Sequence, residues 1–431
     1  MRKPWLFDGS MGALLAQRGA LSGGCTELLN RTNPQAVTAI YADYAAAGAD
    51  FIKTNTFGAS RFKLAQYGLA DAVDELNAAA VRMAKSVCGG AKVALSVGPT
   101  GQMLPPAGTG DPDAVTAAFG EQMQAAADAG ADAILIETQM DLAEARAACL
   151  AALPLGLPIF LSFTLEGGRT LMGNPMAVLA AFADGLGVSM LGLNCSGGPQ
   201  QLLPHFLELQ AAATTPVMVM PNAGLPIMEN GKTHFPLEAQ GFAELMQPFV
   251  VAGAWAVGGC CGTTPEHIAA LRVVCDAAPG SVENATPTDA GKTAPIAPRD
   301  MQKASSSDSQ NAPARGKVMC SPRQICSIQD AARAAQFTLD TADVNTLVEN
   351  AMDEAYGAPL LHVELGGASP AIIRQWLAEF TLMCQVPLAF CAKTPEQLQA
   401  ALHHYVGIAG VSGEADAHIL ARYGGVFFEC S

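Results

Sequence analysis

Aromatic residues make up 6% of this chain and charged residues 15%, and among the charged ones 24 basic side chains are outnumbered by 39 acidic ones. The resulting net charge of −15 repels phosphate backbones and anionic bilayers, which excludes nucleic acid and membrane surfaces as expected partners. Long apolar runs are also missing. Segments such as Ala133 to Ile136 are short and broken by charge or glycine, and the start Met-Arg-Lys-Pro-Trp reaches Asp8 before any extended hydrophobic stretch, so no transmembrane or signal segment is expected. The twelve cysteines show no compact disulfide spacing in 431 residues. That pattern fits a reducing compartment, and the expected location is cytoplasmic. What the chain does have is a hydrophobic content of 50%, enough for a large core, and length for two domains.

Two of those cysteines are adjacent. Cys260 and Cys261 sit between glycines in WAVGGCCGTTPEHI, and an earlier GLNCSGG surrounds Cys195. Neighbouring side chains on a regular strand point to opposite faces, so two adjacent cysteines share one metal only where the backbone turns, and Gly258, Gly259 and Gly262 permit such a turn. Three thiols make a zinc site with one position left open, suited to a soft sulfur substrate. A bare Cys-Cys pair is more often two small residues packed in a core. The flanking sequence decides between the two.

Strand-like apolar runs recur along the first two thirds of the chain: Trp5 to Phe7, Phe51 to Thr54, Val93 to Val97, Ile134 to Glu137, Ile159 to Thr164, Met190 to Leu193, Val217 to Met220 and Ala254 to Val257. Between them lie Ala-rich amphipathic stretches such as Pro34 to Ala47 and Ala114 to Ala129, each followed by a glycine that can cap a helix. Eight such units in about 275 residues predict a (β/α)8 TIM barrel. In that fold the C-terminal strand ends build the active site, and Asp8, Asn55, Glu137, Cys195, Asn222 and the Cys260-Cys261 pair all fall there.

Over residues 1 to 277 the chain resembles the homocysteine S-methyltransferase family. The resemblance rests on FDGSMGALL from Phe7, ADFIKTNTF from Ala49, SVGPTG from Ser96, ILIETQMD from Ile134, RTLMG from Arg169, GLNCSGGP, MPNAGLP from Met220 and GGCCGTTPEHI, all in family order. It implies a Zn2+ ion held by Cys195, Cys260 and Cys261, on which a homocysteine thiolate attacks an electrophilic methyl group to give methionine. It also favours Asp8 and Glu137 as carboxylates for the substrate ammonium, with the amides of Gly9, Ser10 and Met11 as an anion nest for its carboxylate. Asn55, Asn194 and Asn222 lie in matching motifs and join the substrate-binding set, although asparagine at a strand end also serves to tie down a loop. Lys53 stands where some relatives carry an acid. His267 reads as part of a helix start, with Thr264 as N-cap and Pro265 at the first helical position, and is expected to be structural.

After Pro279 the composition shifts to Ala, Pro, Ser and Thr, which reads as a flexible linker over 278–316. Residues 317–431 return to strand and helix alternation, with VMC, PLLHVEL, PLAF, YVGIAGV and GGVFFEC as candidate strands, too few for a closed barrel. This smaller, incomplete α/β domain is similar to the start of the pterin-binding domain that follows the homocysteine domain in cobalamin-dependent methionine synthases. The pterin contacts are replaced by His362, Glu364, Cys391 and Ala409, so the expectation is a truncated domain that docks on a partner or a second copy of the chain, making a homo-oligomer, and binds no folate. Cys320, Cys326, Cys384, Cys391 and Cys430 follow no zinc spacing and read as free thiols. Asp416-Ala417-His418 is the nearest approach to a cobalamin-binding Asp-x-His-x-x-Gly motif but lacks its glycine, so a methylcobalamin donor is expected on a separate corrinoid protein. S-methylmethionine or a betaine would use the same thiolate. A non-catalytic zinc or corrinoid-protein binding module is the alternative from another class, and Asp8, Glu137 and the three cysteines argue against it.

Overall fold

The computed structural model describes residues 3–20, 24–229, 232–278, 318–340, 343–413 and 416–428. Eight short strands form the first unit: β1 (Trp5–Leu6), β2 (Phe51–Lys53), β3 (Lys92–Val97), β4 (Ala133–Gln139), β5 (Ile159–Phe163), β6 (Met190–Cys195), β7 (Val217–Pro221) and β10 (Ala256–Val257). All pair in parallel, β2 through β7 in chain order, then β10 and β1. A bridge from Phe7 to Phe51 closes the ring. The TIM barrel expected from the alternation is therefore present, each strand within a few residues of its expected place. Small additions are β8 (Ile227–Glu229) and β9 (Lys232–His234), an antiparallel hairpin between β7 and β10.

Local chemistry explains the helices that separate these strands. Helix Pro34–Ala46 starts with proline at its first turn and with the Asn33 side chain accepting from Ala36 N–H; helix Pro112–Asp128 repeats the pattern with Asp111 as cap. Both devices satisfy or remove N–H groups that a helix start leaves without partners. At Thr264 the same logic recruits His267, whose Nδ1 lies 3.3 Å from Thr264 N while its Nε2 meets Leu237 O at 2.8 Å, so His267 has the structural role expected of it.

The barrel interior is plugged by Phe7, Phe51 and Phe160, with Phe7 and Phe51 stacked at 4.8 Å and Phe160 edge-on to both. Ala94, Leu135, Met190, Met218 and Met220 complete this inner cluster. Each fully buried ring contributes about 1.5–3 kcal/mol. The plug also gives the polar strand ends above it a dry floor.

The tail corrects one expectation and adds two strands. Val318–Cys320 (β11) does not join the tail sheet; it forms an antiparallel hairpin with Ile325–Ser327 (β12), and Cys320 also bridges Ile408. The first strand of the parallel sheet is instead β13 (Ala335–Thr338), followed in order by β14 (Leu361–Glu364), β15 (Leu388–Cys391), β16 (Ala409–Ser412) and β17 (Gly425–Phe427). β13 buries only Phe337 deeply, which is why its sequence AQFT carries little apolar signal. The tail packs on the barrel: Arg146, 3% exposed in helix Leu142–Ala152, donates to the carbonyls of Leu402, Gly407 and Tyr423. Apart from Ala278, the expected linker over 278–316 lies outside the described residues.

Candidate active site

The three sulfurs converge. Cys195 ends β6, Cys260 and Cys261 follow β10, and their Sγ atoms all lie within 4.8 Å of one another, with Cys195 and Cys261 at 3.9 Å. A tetrahedron with zinc–sulfur bonds of about 2.3 Å has edges of about 3.8 Å, so this donor set fits zinc in both chemistry and spacing. The backbone is bent to achieve it. Cys195 and Ser196 both have φ of 60°, in the left-handed region that non-glycine residues avoid. Of the three glycines expected to turn the Cys260-Cys261 segment, only Gly262 takes a left-handed φ, +79°. The other two serve close approach: a Cβ on Gly258 would lie 2.7 Å from Phe7 Cβ, and one on Gly259 would lie 2.3 Å from Thr263 Oγ1.

Hydrogen bonds fix the sulfurs further. The N–H of Cys260 donates to Pro221 O at 2.8 Å and that of Cys261 to Asn222 Oδ1 at 3.0 Å. Asn194 Nδ2 donates to Thr138 Oγ1 at 2.8 Å and reaches Cys260 Sγ at 3.8 Å, while its Oδ1 accepts from Thr138 N and Ser162 Oγ. Hydrogen bonds from Cys260 first and Cys261 next hold the Cys195 thiol down to about 3, and the same contacts hold the Cys260 and Cys261 thiols up.

Beside the sulfurs lies a buried charge network. Glu137 ends the regular part of β4 and accepts from Ser96 Oγ at 2.6 Å; burial raises its pKa above the ordinary carboxylate range. Burial, offset by Lys53, pushes Asp8 up to about 7. Asp8 Oδ2 accepts from Lys53 N at 2.9 Å, whereas Oδ1 lies 3.5 Å from Lys53 Nζ and has no hydrogen-bond partner. Lys53 Nζ also donates to Gly259 O at 3.0 Å; burial works against its charge, but Asp8, Glu137 and Cys260 outweigh it and raise its pKa. A buried oxygen without a donor is costly unless a ligand supplies one.

The remaining sequence expectations separate here. Asn55 sits at the strand end, but its Nδ2 donates to Thr26 O and Asn30 Oδ1 and its N–H to Tyr41 Oη, so in this state it ties the rim together. Ser10 caps the short helix Met11–Gln17 and its own N–H donates to Thr263 O at 3.3 Å, which removes one of the three amides expected in an anion nest with Gly9 and Met11. Thr138 was not anticipated. It is β-branched with φ of 60°, held there by Asn194, and only the polar run ETQM after an apolar strand signalled an irregularity. Ser96 and Ser162 were likewise legible only as polar interruptions in apolar runs.

A family profile described as homocysteine S-methyltransferase matches residues 5–275. The chain belongs to this family. The methionine synthases of Mycobacterium leprae (strain TN) and Mycobacterium tuberculosis (strain ATCC 25618 / H37Rv) are 37% and 38% identical over 284 and 283 residues, 61% of this chain in both cases. These alignments cover 23% and 24% of the two relatives, so the chain spans about a quarter of their length. Among solved structures, the homocysteine methyltransferase MmuM from Escherichia coli is similar in its oxidized form (TM-score 0.55, 27% identity) and its metallated form (TM-score 0.54, 26% identity). Each match covers 63% of this chain and 96% of the other.

Proposed function

We propose that the chain transfers a methyl group to the sulfur of homocysteine to form methionine, using zinc held by Cys195, Cys260 and Cys261. The observation that carries this reading is the convergence of the three sulfurs at near-tetrahedral spacing within a member of the homocysteine S-methyltransferase family. When bound, zinc supplies a Lewis acid that keeps the substrate sulfur ionised near neutral pH, in a thiolate-rich centre whose net negative charge preserves its nucleophilicity. Asp8 and Glu137 hold the substrate ammonium, Asp8 Oδ1 accepting no hydrogen bond although it faces Lys53 Nζ at 3.5 Å. Lys53 balances one of these carboxylates. The aromatic plug keeps water from below, so the remaining contribution is alignment of donor carbon and acceptor sulfur. The methyl group leaves its donor without the bonding electrons, and the sulfur lone pair forms the new bond.

A methylcorrinoid carried on a separate protein is the donor that the rim supports best. Phe57, Met103, Met140, Leu171, Leu225 and Met228 stand on loops that follow five different barrel strands and are all at least 36% exposed. An apolar rim around a buried polar site suits a macromolecular donor better than a small polar one. Residues 1–277 would carry the chemistry and residues 317–431 would support it. A cytoplasmic location is part of this reading, supported by twelve cysteines without compact disulfide spacing. The test is methionine formation from homocysteine by the zinc-loaded chain, with protein-borne methylcobalamin, S-methylmethionine and a betaine as separate donors. Product with the first alone supports the whole reading; product with either small donor alone moves the donor; no product with any donor refutes the activity.

A further inference from the structure

A second group of ligating side chains comes together outside the thiol cluster, and neither half of the chain supplies it alone. Asp113 stands in the first turn of helix Pro112–Asp128 on the barrel, while His403 and His404 end helix Pro395–His404 of the tail. Folding places His403 Nε2 2.6 Å from Asp113 Oδ1, and one ligand atom from each of the three residues lies within 4.8 Å of the others. The two imidazole rings stand 4.7 Å apart at 88°, crossed and not stacked.

Both histidines line a cleft of about 450 Å³ between barrel and tail, walled by apolar side chains including Leu104, Ala147, Leu150 and Ala378. Arg374 on the same cleft opposes a cation; Asp111 and Asp113 offset it. Two imidazoles and a carboxylate suit borderline metals of the late first transition row better than Mg2+ or Ca2+. The existing His403–Asp113 contact must open only from 2.6 Å to about 3.3 Å, the edge of a tetrahedron with bonds of about 2.0 Å. Asp113, with its side chain 55% exposed, is free to make that adjustment.

We propose that Asp113, His403 and His404 form a second metal site, for Zn2+, Co2+ or Ni2+, that fastens the tail to the barrel and leaves a coordination position open toward the cleft. This site is independent of the thiol cluster and of any reading of the catalysed reaction.

The test is a Co2+ titration of the full chain after its thiol site has been filled with zinc. About one further equivalent should bind with ligand-field absorption and without thiolate-to-metal charge transfer. Asp113→Asn and His403→Gln should each weaken it at least about tenfold, while Cys261→Ala should leave this spectrum intact. Bound Co2+ should also raise the Tm of the parent chain and not that of Asp113→Asn. Asp113 is a surface residue, so its variant remains informative if His403→Gln fails to fold. Absence of a thiolate-free Co2+ spectrum, or its persistence in Asp113→Asn, would show the cluster to be a hydrogen-bonded pair only.

Discussion

The amide oxygen of Asn222 accepts the backbone N–H of Cys261 at 3.0 Å, so a strand-end asparagine fixes the residue that carries the third sulfur. Asn194 reaches the neighbouring sulfur instead, its Nδ2 lying 3.8 Å from Cys260 Sγ, and it holds Thr138 in its left-handed conformation. These asparagines act on the sulfurs through geometry. Asn222→Ala should lower zinc affinity by about 10–100-fold in a chelator competition while leaving the circular dichroism unchanged. Affinity within twofold of the parent would remove Asn222 from the support of the site.

Zinc binding should depend steeply on pH. Cys195 holds the Cys260 and Cys261 thiols above the ordinary thiol range, so zinc must compete with protons for these sulfurs. Fewer competing protons at higher pH mean tighter binding, with apparent affinity rising by up to about 100-fold per pH unit between about pH 6 and about pH 8. Chelator competition at several pH values, with proton release measured in parallel, checks both the sign and the count. A flat profile would mean the thiols are already ionised.

Glu137→Gln keeps the hydrogen bond to Ser96 possible but removes a buried charge next to the proposed ammonium position. Loss of a charge-assisted contact is worth about 1.5–3 kcal/mol, or roughly 10–100-fold in homocysteine affinity, with zinc content unchanged. Calorimetry on the zinc-loaded protein reads the first and metal analysis the second. An unchanged Kd would return Glu137 to a structural role.

The barrel was legible because its strands are buried on both faces and so read as uninterrupted apolar runs, and because prolines and caps mark the helix starts. Cys260 and Cys261 were legible as a candidate pair because the glycines around them permit a turn, and the family resemblance, through GLNCSGG, joined Cys195 to them. Lys53 was visible as a departure from the family pattern, but its pairing with Asp8 depends on two strands meeting side by side, which no local pattern encodes. β13 escaped for a related reason: an edge strand with one deeply buried residue gives no periodic signal. Nothing in the local sequence marks Arg146, since its three carbonyl partners lie more than 250 residues away along the chain.

Arg146 therefore yields a prediction for the tail. Arg146→Ala leaves three carbonyls without their buried donor, at about 1–3 kcal/mol for each that water does not reach. Limited proteolysis should then cut residues 318–428 faster, while zinc stoichiometry holds. Unchanged proteolysis would show that the tail is held by other contacts. The same full chain should show no specific binding of methyltetrahydrofolate by calorimetry, because His362 fills its strand position with bonds to Gln336 and Ser412.

X-ray absorption at the zinc edge, recorded on the full chain before and after addition of homocysteine, tests the central claim most directly. Three sulfur neighbours at about 2.3 Å should become four when homocysteine is added, and Cys261→Ala should lose most of the metal. A sulfur count that does not change on adding homocysteine, or zinc retained in full by Cys261→Ala, would contradict the assignment of Cys195, Cys260 and Cys261 as the site that activates the substrate thiol.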